Sequence, residues 1–334
     1  MSGLVDKKIL VTGGAGFIGS HLVDLLLEKD YFVRVMDNLS NGKKENIDHH
    51  LSKSNFEFIH GDILDKEDLD AAMNEIDIVF HLACLGVRHS IKYPYENHLV
   101  NAEGTLLLLK NALRVGVKKF IHCSSSEVYG TAKYVPMNED HPTYPHTVYG
   151  SSKLAGEAYA RAYYETYNLP IIIVRPFNTY GPRSHFEGDA GEMIPKSIIR
   201  AISGKPILVF GDGSQTRDFT YVKDTARALI SAAQSEELIG GTFNIGSSFE
   251  ISIKKVAEMI KDEISNNSVK IKFEQNRPGD VLRLFADSKT FNKHTNWKAD
   301  FSFDNGLRKT IDWFNMFYKN SNNYIDEETG LNWQ

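Results

Sequence analysis

The chain has 334 residues, of which 42% are hydrophobic and 24% are charged, and its formal net charge is -5 at pH 7. A chain of this length buries a large core but is long for one hydrophobic centre, so one large domain with a smaller lobe is expected. Basic and acidic residues are interspersed, without the basic stripe that neutralises phosphates, so we expect no nucleic-acid partner.

The amino terminus and the lack of a long apolar stretch predict a cytoplasmic protein. The first residues, MSGLVDKK, form no apolar leader, and no stretch approaches the ~20 apolar residues that span a bilayer, so no membrane partner is expected. Cys84 and Cys123 each follow an apolar run and show neither CxxC nor Cys/His spacing. We therefore expect reduced thiols, no disulfide and no metal.

Short apolar runs alternate with segments of helical period in the first half of the chain. The runs KKILVT, YFVRVMD, FEFIHGDI, DIVFHLAC, KKFIHCSS and IIIVRPF are typical of buried strands. The segments between them, such as HLVDLLLEKD and ENHLVNAEGTLLLLKNALRVG, are typical of helices. This βαβ order predicts the α/β fold class, a doubly wound parallel sheet of the Rossmann type with helices on both faces.

From about Asn178 the alternation loosens, and the segments KSIIRAISG, ISIKKVAEMIKDEI and NGLRKTIDWFNMFY indicate a smaller mixed α/β lobe. We assign residues 1–177 and 215–247 to the Rossmann domain and residues 178–214 and 248–334 to a substrate-binding lobe.

The stretch ILVTGGAGFIGSH places Gly13, Gly16 and Gly19 after the first predicted strand and at the start of the first helix. Glycine lets the backbone turn tightly and approach a pyrophosphate, while the N-terminus of a helix supplies N–H donors and a favourable dipole. An acidic residue, Asp37, ends the second strand at about the ~20-residue distance that suits a contact with ribose hydroxyls. The pattern predicts a dinucleotide site.

The residue that follows Asp37 is Asn38 and not arginine, so a 2′-phosphate would meet a carboxylate without a compensating cation, which favours NAD over NADP. Lys43 and Lys44 are near enough in the chain to reach this site. Asp62 is a candidate adenine contact and, with equal weight, a turn residue at a strand end. The residues expected to bind NAD are Gly13, Gly16, Phe17, Ile18, Gly19, Asp37, Asn38, Asp62, Ile63, Leu82, Ala83, Tyr149 and Lys153.

In VYGSSKLAGEAY, Tyr149 and Lys153 are four residues apart on a predicted helix and so lie on one face. A phenol with a reference pKa near ~10 is a poor base at neutral pH, but an adjacent ammonium and a positively charged nicotinamide stabilise the phenolate. Tyr149 would then take a proton from an alcohol as hydride leaves its carbon. Lys153 would also bind the nicotinamide ribose.

Several motifs follow one another in the order that a single nicotinamide site needs. They are GGAGFIG, the Asp37 strand end, HLA at 81–83, SSSEVYG, YGSSK, RPFNTYGPR, GDGSQTRDFTYVKD and RPGDV. With these motifs the chain resembles, over nearly its whole length, the extended short-chain dehydrogenase/reductase family in its nucleotide-sugar epimerase/dehydratase branch.

The resemblance implies a nucleoside diphosphate sugar as the substrate, with dTDP, UDP, GDP and CDP all open. It also implies that Asn178, Arg217 and Arg283 hold the diphosphate and nucleoside, and arginine suits phosphate because its planar fork of donors keeps its charge. Relatives pair two helices of each subunit in a four-helix interface. The wide apolar faces of NAEGTLLLLKNAL and LAGEAYARAYYETY therefore predict a homodimer.

In the family, the common first step oxidises sugar C4, with Tyr149 as base and Ser125 hydrogen-bonded to the same oxygen. Members that are 4-epimerases typically have a small residue where Glu127 stands, whereas a carboxylate suits a 4,6-dehydratase, because it removes the C5 proton and helps to expel the C6 hydroxyl. Where dTDP-glucose dehydratases have Asp-Glu, this chain has Ser126 and Glu127, which resembles GDP-mannose dehydratases and some N-acetylhexosamine dehydratases. The expected catalytic residues are Ser125, Ser126, Glu127, Tyr149 and Lys153.

The expected reaction is 4,6-dehydration of an NDP-hexose, with a 4-epimerase as the first alternative and a UDP-glucuronate decarboxylase as the second. Decarboxylases share the Ser-Glu pair but use an arginine at a position that falls on Leu284, and a one-residue shift would bring Arg283 there. The loop LGVRHS resembles the GVR loop of uronate 4-epimerases, so Arg88 is either a substrate contact or a loop charge. A non-catalytic NAD sensor is a further alternative, against which the presence of Tyr149 and Lys153 counts.

Overall fold

The computed structural model describes residues 7–264, 269–277 and 279–320. The strands are β1 (Lys8–Thr12), β2 (Phe32–Asp37), β3 (Phe56–His60), β4 (Ile78–His81), β5 (Lys119–Cys123), β6 (Ile171–Pro176), β7 (Thr179–Tyr180), β8 (Ile207–Phe210), β9 (Thr216–Asp218), β10 (Thr220–Tyr221), β11 (Thr242–Ile245), β12 (Glu250–Ser252), β13 (Ile271–Glu274) and β14 (Arg283–Leu284).

The helices are α1 (Phe17–Leu27), α2 (Lys66–Met73), α3 (Val87–Lys92), α4 (Pro94–His98), α5 (Gly104–Val115), α6 (Val148–Tyr167), α7 (Met193–Ile202), α8 (Val222–Gln234), α9 (Ile253–Glu263), α10 (Lys289–Thr295) and α11 (Phe303–Asn320). A π-helical segment, Leu99–Glu103, joins α4 to α5. Within the described ranges, no helix combines the length and the apolar character that crossing a bilayer requires.

A seven-stranded sheet forms the larger unit, with the strand order β11-β6-β5-β4-β1-β2-β3. All of its pairings are parallel. The order reverses between β1 and β4, and in open α/β sheets the crevice at such a reversal, outside the carboxyl ends of the strands, is the usual ligand site. The predicted doubly wound α/β fold is confirmed.

The central strand β1 is buried on both faces because successive side chains point to opposite sides of the sheet. Ile9 and Val11 pack into one core with residues of α1 and α8. Leu10 packs into the other core with residues of α2, α5 and α6. A continuous apolar run such as KILVT is therefore what this position in the sheet requires.

A separate core lies in the second lobe and is built from α7, α9 and α11 with the strands β8 and β13. Strand β9 pairs with β12 on one side and with β14 on the other. Residues 321–334, which the sequence assigns to this lobe, lie outside the described residues.

A segment near the end of the chain packs against the large sheet. Phe291 and Trp297, which the sequence assigns to the second lobe, are buried in the core of the large sheet. The ring of Phe291 lies 6.3 Å from that of Phe243 on β11, and Trp297 Nε1 donates a hydrogen bond to the Asp224 carbonyl on α8 at 3.1 Å. The chain therefore returns to the Rossmann unit after it has formed most of the second lobe.

We expect the substitution Phe291→Ala to lower the free energy of unfolding by about 3–5 kcal/mol, because it opens a cavity in a close-packed core. Denaturant unfolding followed by tryptophan fluorescence measures this. Met316→Ala on α11, where the side chain is 60% exposed, is the control and should change the stability by less than about 0.5 kcal/mol. Equal losses for the two variants would contradict the placement of Phe291 in the Rossmann core.

Candidate functional site

A cavity of about 660 Å³ opens at the carboxyl edge of the sheet and is bounded on the other side by the second lobe. Every residue predicted to bind the cofactor or to take part in catalysis lines it, and so do Arg88, Asn178 and Arg217. Parallel strands bring these residues together because their carboxyl ends share one edge.

The turn between β1 and α1 approaches the end of β4 so closely that side chains do not fit. Gly13 has φ +70°, and a Cβ there would lie 2.7 Å from the Ala83 nitrogen. A Cβ on Gly19 would lie 2.1 Å from the Gly13 carbonyl oxygen. Gly16 is the N-cap residue of α1 and has no side chain that could accept hydrogen bonds from the first amides of the helix. These amides are therefore open to the cavity.

Asp37 at the end of β2 faces this turn. Its carboxylate accepts hydrogen bonds from the amides of Ala15 and Leu39, each at 2.9 Å. Burial raises the pKa of Asp37, and these two donors oppose the shift. Lys43, a candidate cation for a 2′-phosphate in the sequence, forms an ion pair with Glu187.

The stretch SSSEVYG begins where β5 ends and forms a 3-10 turn over Ser126–Val128. Ser125 caps this turn by accepting a hydrogen bond from the Glu127 amide at 3.2 Å. Burial raises the pKa of the Glu127 carboxyl, while the charge of Arg217, and then those of Arg88 and Arg277, oppose that shift. Glu127 thus faces the cavity as a carboxyl that holds its proton more readily than a solvated one.

Tyr149 and Lys153 lie in the first two turns of α6, whose N-terminus is capped by the Thr147 hydroxyl. Lys153 Nζ donates to the Cys123 carbonyl at the end of β5 at 2.6 Å. Burial raises the pKa of Tyr149 well above its ordinary value, Cys84 adds to the shift, and a hydrogen bond with Ser125 opposes it. A positive charge in the cavity would lower this pKa and favour the phenolate.

Three guanidinium groups lie in the part of the cavity near the second lobe. Arg217 donates to Asp280 at 3.0 Å. Arg277 lies 4.8 Å from the ring centre of Phe210, and burial lowers its pKa to about 9. Arg88 has a buried Nε that finds no hydrogen-bond partner among the described residues, and burial lowers the pKa of its guanidinium.

Arg283 does not lie where the sequence predicts a substrate contact. It is not among the residues that line the cavity, and its side chain is 48% exposed and bound to Glu250 through two hydrogen bonds of 2.6 and 2.8 Å. Strand β14 pairs with β9, and this pairing directs Arg283 toward Glu250. Arg277 lines the cavity instead, and the sequence signal for it was the motif RPGDV, of which it is the first residue.

Two further polar groups of the cavity were missed by the sequence analysis. Glu192 at the start of α7 lines the cavity, and burial raises the pKa of its carboxyl to about 7, with Arg88 opposing the shift. Asp280 lines it as well and is the ion-pair partner of Arg217. Asp280 belongs to the same RPGDV motif as Arg277, whereas Glu192 follows no predicted strand of the Rossmann domain and no local pattern pointed to it.

The part of the cavity on the Rossmann side fits a dinucleotide. Gly13 and Gly19, where a Cβ would clash, and the open amides at the N-terminus of α1 suit a pyrophosphate. The Asp37 carboxylate at the end of β2 suits an adenosine ribose. On the other side, Asn178 lines the same cavity, and within the described part of the chain its buried side-chain oxygen has no hydrogen-bond partner.

A family model described as GDP-mannose 4,6 dehydratase matches residues 10–310 of the chain. A UDP-N-acetyl-alpha-D-glucosaminuronate decarboxylase of Bacillus cytotoxicus is 38% identical over 332 residues, which cover 93% of this chain and 98% of that protein.

Two solved structures share the fold over almost their whole length. UDP-glucuronic acid 4-epimerase from Bacillus cereus, solved with UDP-glucuronic acid and NAD, has a TM-score of 0.88 at 34% identity and covers 93% of this chain and 100% of its own. DesIV, a dTDP-glucose 4,6-dehydratase from Streptomyces venezuelae solved with NAD, has a TM-score of 0.88 at 30% identity and covers 92% and 97%. These three proteins are named for decarboxylation, epimerisation and dehydration, and their sequence identities to this chain are similar. The choice among the three reactions therefore depends on the residues of the site.

We expect the wild-type protein to bind NAD more tightly than NADP. Asp37→Ala should lower the ratio of the two affinities by at least about tenfold, because roughly 1.4 kcal/mol of repulsion between the carboxylate and the 2′-phosphate is lost. Isothermal titration calorimetry with both dinucleotides measures the ratio. Glu28→Ala removes an exposed carboxylate at the end of α1 and should leave the ratio unchanged. A ratio that is the same in Asp37→Ala and in the wild type would contradict the role of Asp37.

Proposed function

The chain belongs to the GDP-mannose 4,6 dehydratase family, within the NAD-dependent nucleotide-sugar epimerases and dehydratases of the extended short-chain dehydrogenases/reductases, and on that premise we propose that it is an NAD-retaining NDP-hexose 4,6-dehydratase. Members of this group are enzymes, and their cofactor is NAD.

The position of Glu127 carries the proposal. Its side chain lines the same cavity as Tyr149 and Lys153, and its pKa is raised by burial. Among the described residues, none donates a hydrogen bond to this carboxyl group. A carboxyl whose pKa is raised and that accepts no hydrogen bond from the described residues can exchange a proton with a bound sugar, which suits general acid and base chemistry.

The first step takes place at the sugar C4 hydroxyl. Tyr149 accepts the hydroxyl proton on its Oη, Ser125 hydrogen-bonds the same sugar oxygen, and Lys153 supplies positive charge one helical turn from the phenol. When bound, NAD would supply the hydride acceptor at this stage and would return the hydride to C6 at the last, where C5 takes up a proton. The chain's own residues thus hold and move the proton while the sugar becomes a 4-keto sugar.

The second step distinguishes a dehydratase from an epimerase. A 4-keto group acidifies the neighbouring C5–H bond, so Glu127 takes the C5 proton on a carboxylate oxygen. The same carboxyl then returns a proton to the C6 hydroxyl, which leaves as water. Ser126, with 3% exposure, is too weakly acidic to protonate this leaving group, so one carboxyl performs both transfers.

The substrate is proposed to be a nucleoside diphosphate sugar. Arg217 and Arg277 offer planar donor groups to the diphosphate, and Asn178 adds an amide at the end of β6. Arg88 is proposed as a contact of the sugar, because its guanidinium lies close enough to Glu127 to affect the pKa of that carboxyl.

The alternative reactions receive different support. A 4-epimerase needs Tyr149, Lys153 and Ser125 alone, all of which line the cavity, and it remains the second candidate. Decarboxylation is less well supported, because Leu284 is fully buried and Arg283 lies outside the cavity lining.

We expect incubation with NAD and a panel of UDP-, dTDP-, GDP- and CDP-linked hexoses, amino sugars and uronic acids to give a product that has lost one water, as measured by mass spectrometry. Glu127→Gln should stop the loss of water, and Tyr149→Phe should lower turnover by about 100-fold or more while nucleotide binding is retained. Glu165→Gln removes an exposed carboxylate of the same helix and should behave as the wild type. An isomer of unchanged mass would establish an epimerase instead, and loss of carbon dioxide a decarboxylase.

The protein is also proposed to be a homodimer that pairs α5 and α6 with the same helices of a second copy. The two helices pack side by side and leave Leu113 and Tyr167 exposed by 37% and 52%. Aromatic and apolar side chains exposed on adjacent helices are typical of an interface.

Sedimentation velocity at micromolar concentration should therefore give a dimer for the wild type, and Tyr167→Lys should shift it toward monomer because a charge is introduced into the buried contact. The control is Tyr144→Lys, a 70% exposed tyrosine that precedes α6, which should leave the dimer intact. A wild-type protein that sediments as a monomer would refute the proposed interface.

A further inference from the structure

A buried ion pair lies beneath the stretch that carries Glu127. Glu157 is on α6, one helical turn after Lys153, and Arg175 is on β6, which pairs with β5. Arg175 Nε donates to Glu157 Oε1 at 2.8 Å, and Arg175 Nη2 donates to Glu157 Oε2 at 2.6 Å. The two side chains are 5% and 0% exposed. This bidentate arrangement fixes both groups in direction as well as in distance.

The ion pair holds both ends of the segment 124–129, which we call the catalytic stretch. At its first residue, the Ser124 hydroxyl donates to Glu157 Oε1 at 2.5 Å. At its last residue, Arg175 Nη1 donates to the Tyr129 hydroxyl at 2.7 Å, and that hydroxyl donates to Asn244 Oδ1 on β11 at 2.8 Å. One carboxylate and one guanidinium therefore bracket Ser125, Ser126 and Glu127.

The same helix that carries Glu157 also carries the phenol of the proposed reaction. Because Lys153 Nζ is bound to the Cys123 carbonyl, α6 is tied to the end of β5 at two consecutive residues, Cys123 and Ser124. A short path of hydrogen bonds thus helps to set the distance between Glu127 and Tyr149 and bypasses the long connection from residue 130 to residue 147. Proton transfers to one sugar from two groups depend on such a distance.

The charges of this pair persist over the pH range in which enzymes work. Although burial opposes its ionisation, the Arg175 guanidinium and the Ser124 hydroxyl hold the pKa of Glu157 below its ordinary value. Burial raises the pKa of Tyr129 to about 12, so its hydroxyl keeps the proton that it donates to Asn244. Stability alone does not explain the pair, since a buried ion pair is often matched or exceeded in stability by well-packed apolar residues.

We propose that Glu157, Arg175 and Tyr129 are positioning residues that hold the catalytic stretch at its working distance from Tyr149, a role that rests on the proposed function of Glu127. None of the three is proposed to touch the substrate. Glu157 acts through Ser124 and Arg175 acts through Tyr129, and these are the two ends of the stretch.

The test removes one hydrogen-bonding atom at a time. Tyr129→Phe deletes the hydroxyl that Arg175 and Asn244 bind and keeps the ring in its buried cluster, and Ser124→Ala deletes the other end of the connection. With the substrate identified from the sugar panel, each variant should lower kcat by about 10- to 100-fold, while KM and the affinity for NAD change by less than about twofold. A role in stability alone would change the melting temperature and leave kcat of the folded enzyme unchanged.

The matched control uses the same carboxylate. Arg161 binds Glu157 Oε2 at 3.2 Å from the outside, with its side chain 43% exposed, and has no hydrogen bond to the catalytic stretch among the described residues. Arg161→Ala should therefore keep the wild-type kcat. Arg175→Lys keeps the charge but loses the fork that reaches Glu157 and Tyr129 together, so it should lose activity as Tyr129→Phe does.

A second measurement needs no substrate. Hydrogen exchange followed by mass spectrometry should show faster exchange of the amides of residues 127–130 in Tyr129→Phe and Ser124→Ala, with unchanged exchange in α1. These amides bind within the stretch itself, for example Tyr129 N to the Ser126 carbonyl at 3.1 Å. Unchanged exchange in both variants, or faster exchange with wild-type kcat, would overturn the proposal. If the wild-type protein converts no sugar, the proposed function fails, and the exchange data still decide whether the ion pair holds the stretch.

Discussion

Parallel pairing of the seven strands is the constraint on which the site depends. Because β1, β2, β4, β5 and β6 run in one direction, their carboxyl ends meet at one edge, and each end contributes a different group to the cavity. Gly13, Asp37, Ala83, Ser125 and Asn178 are spread over half of the chain and meet only there. The second lobe closes the open side of this edge, and guanidinium groups reach the cavity from α3 (Arg88), from β9 (Arg217) and from the segment before β14 (Arg277).

Exclusion of water sets the chemistry inside the cavity. Burial is the first cause of the raised pKa values of Glu127, Tyr149 and Glu192 and of the lowered pKa of Arg277. Proton affinities are therefore set mainly by desolvation, and neighbouring charges adjust them. A ligand that brings its own charge into such a space changes these affinities strongly, because interactions between charges are larger where water is excluded.

Most of the fold and the cavity lining could be predicted because both follow local rules. Buried strands read as apolar runs, and the residues just beyond their ends face one edge, so the positions of Ser125 and Asn178 followed from the motifs alone. Helix α1 begins at Phe17, four residues before the predicted segment, since the glycine-rich turn itself forms the first turn of the helix. Arg283, which the family resemblance implied as a substrate contact, lies outside the cavity lining because its direction is set by Glu250, 33 residues away on another strand.

The return of Phe291 and Trp297 to the Rossmann core has a consequence for the order in which the chain folds as it is synthesised. Domains commonly fold as units from the N-terminus while the ribosome is still adding residues. Here the largest core lacks two aromatic side chains until almost the whole chain has emerged. Until this segment has been synthesised, the apolar surface that it covers beside α8 and β11 stays exposed. The segment follows most of the second lobe in the chain. Contacts so distant in sequence slow folding, so we expect this part of the core to close late.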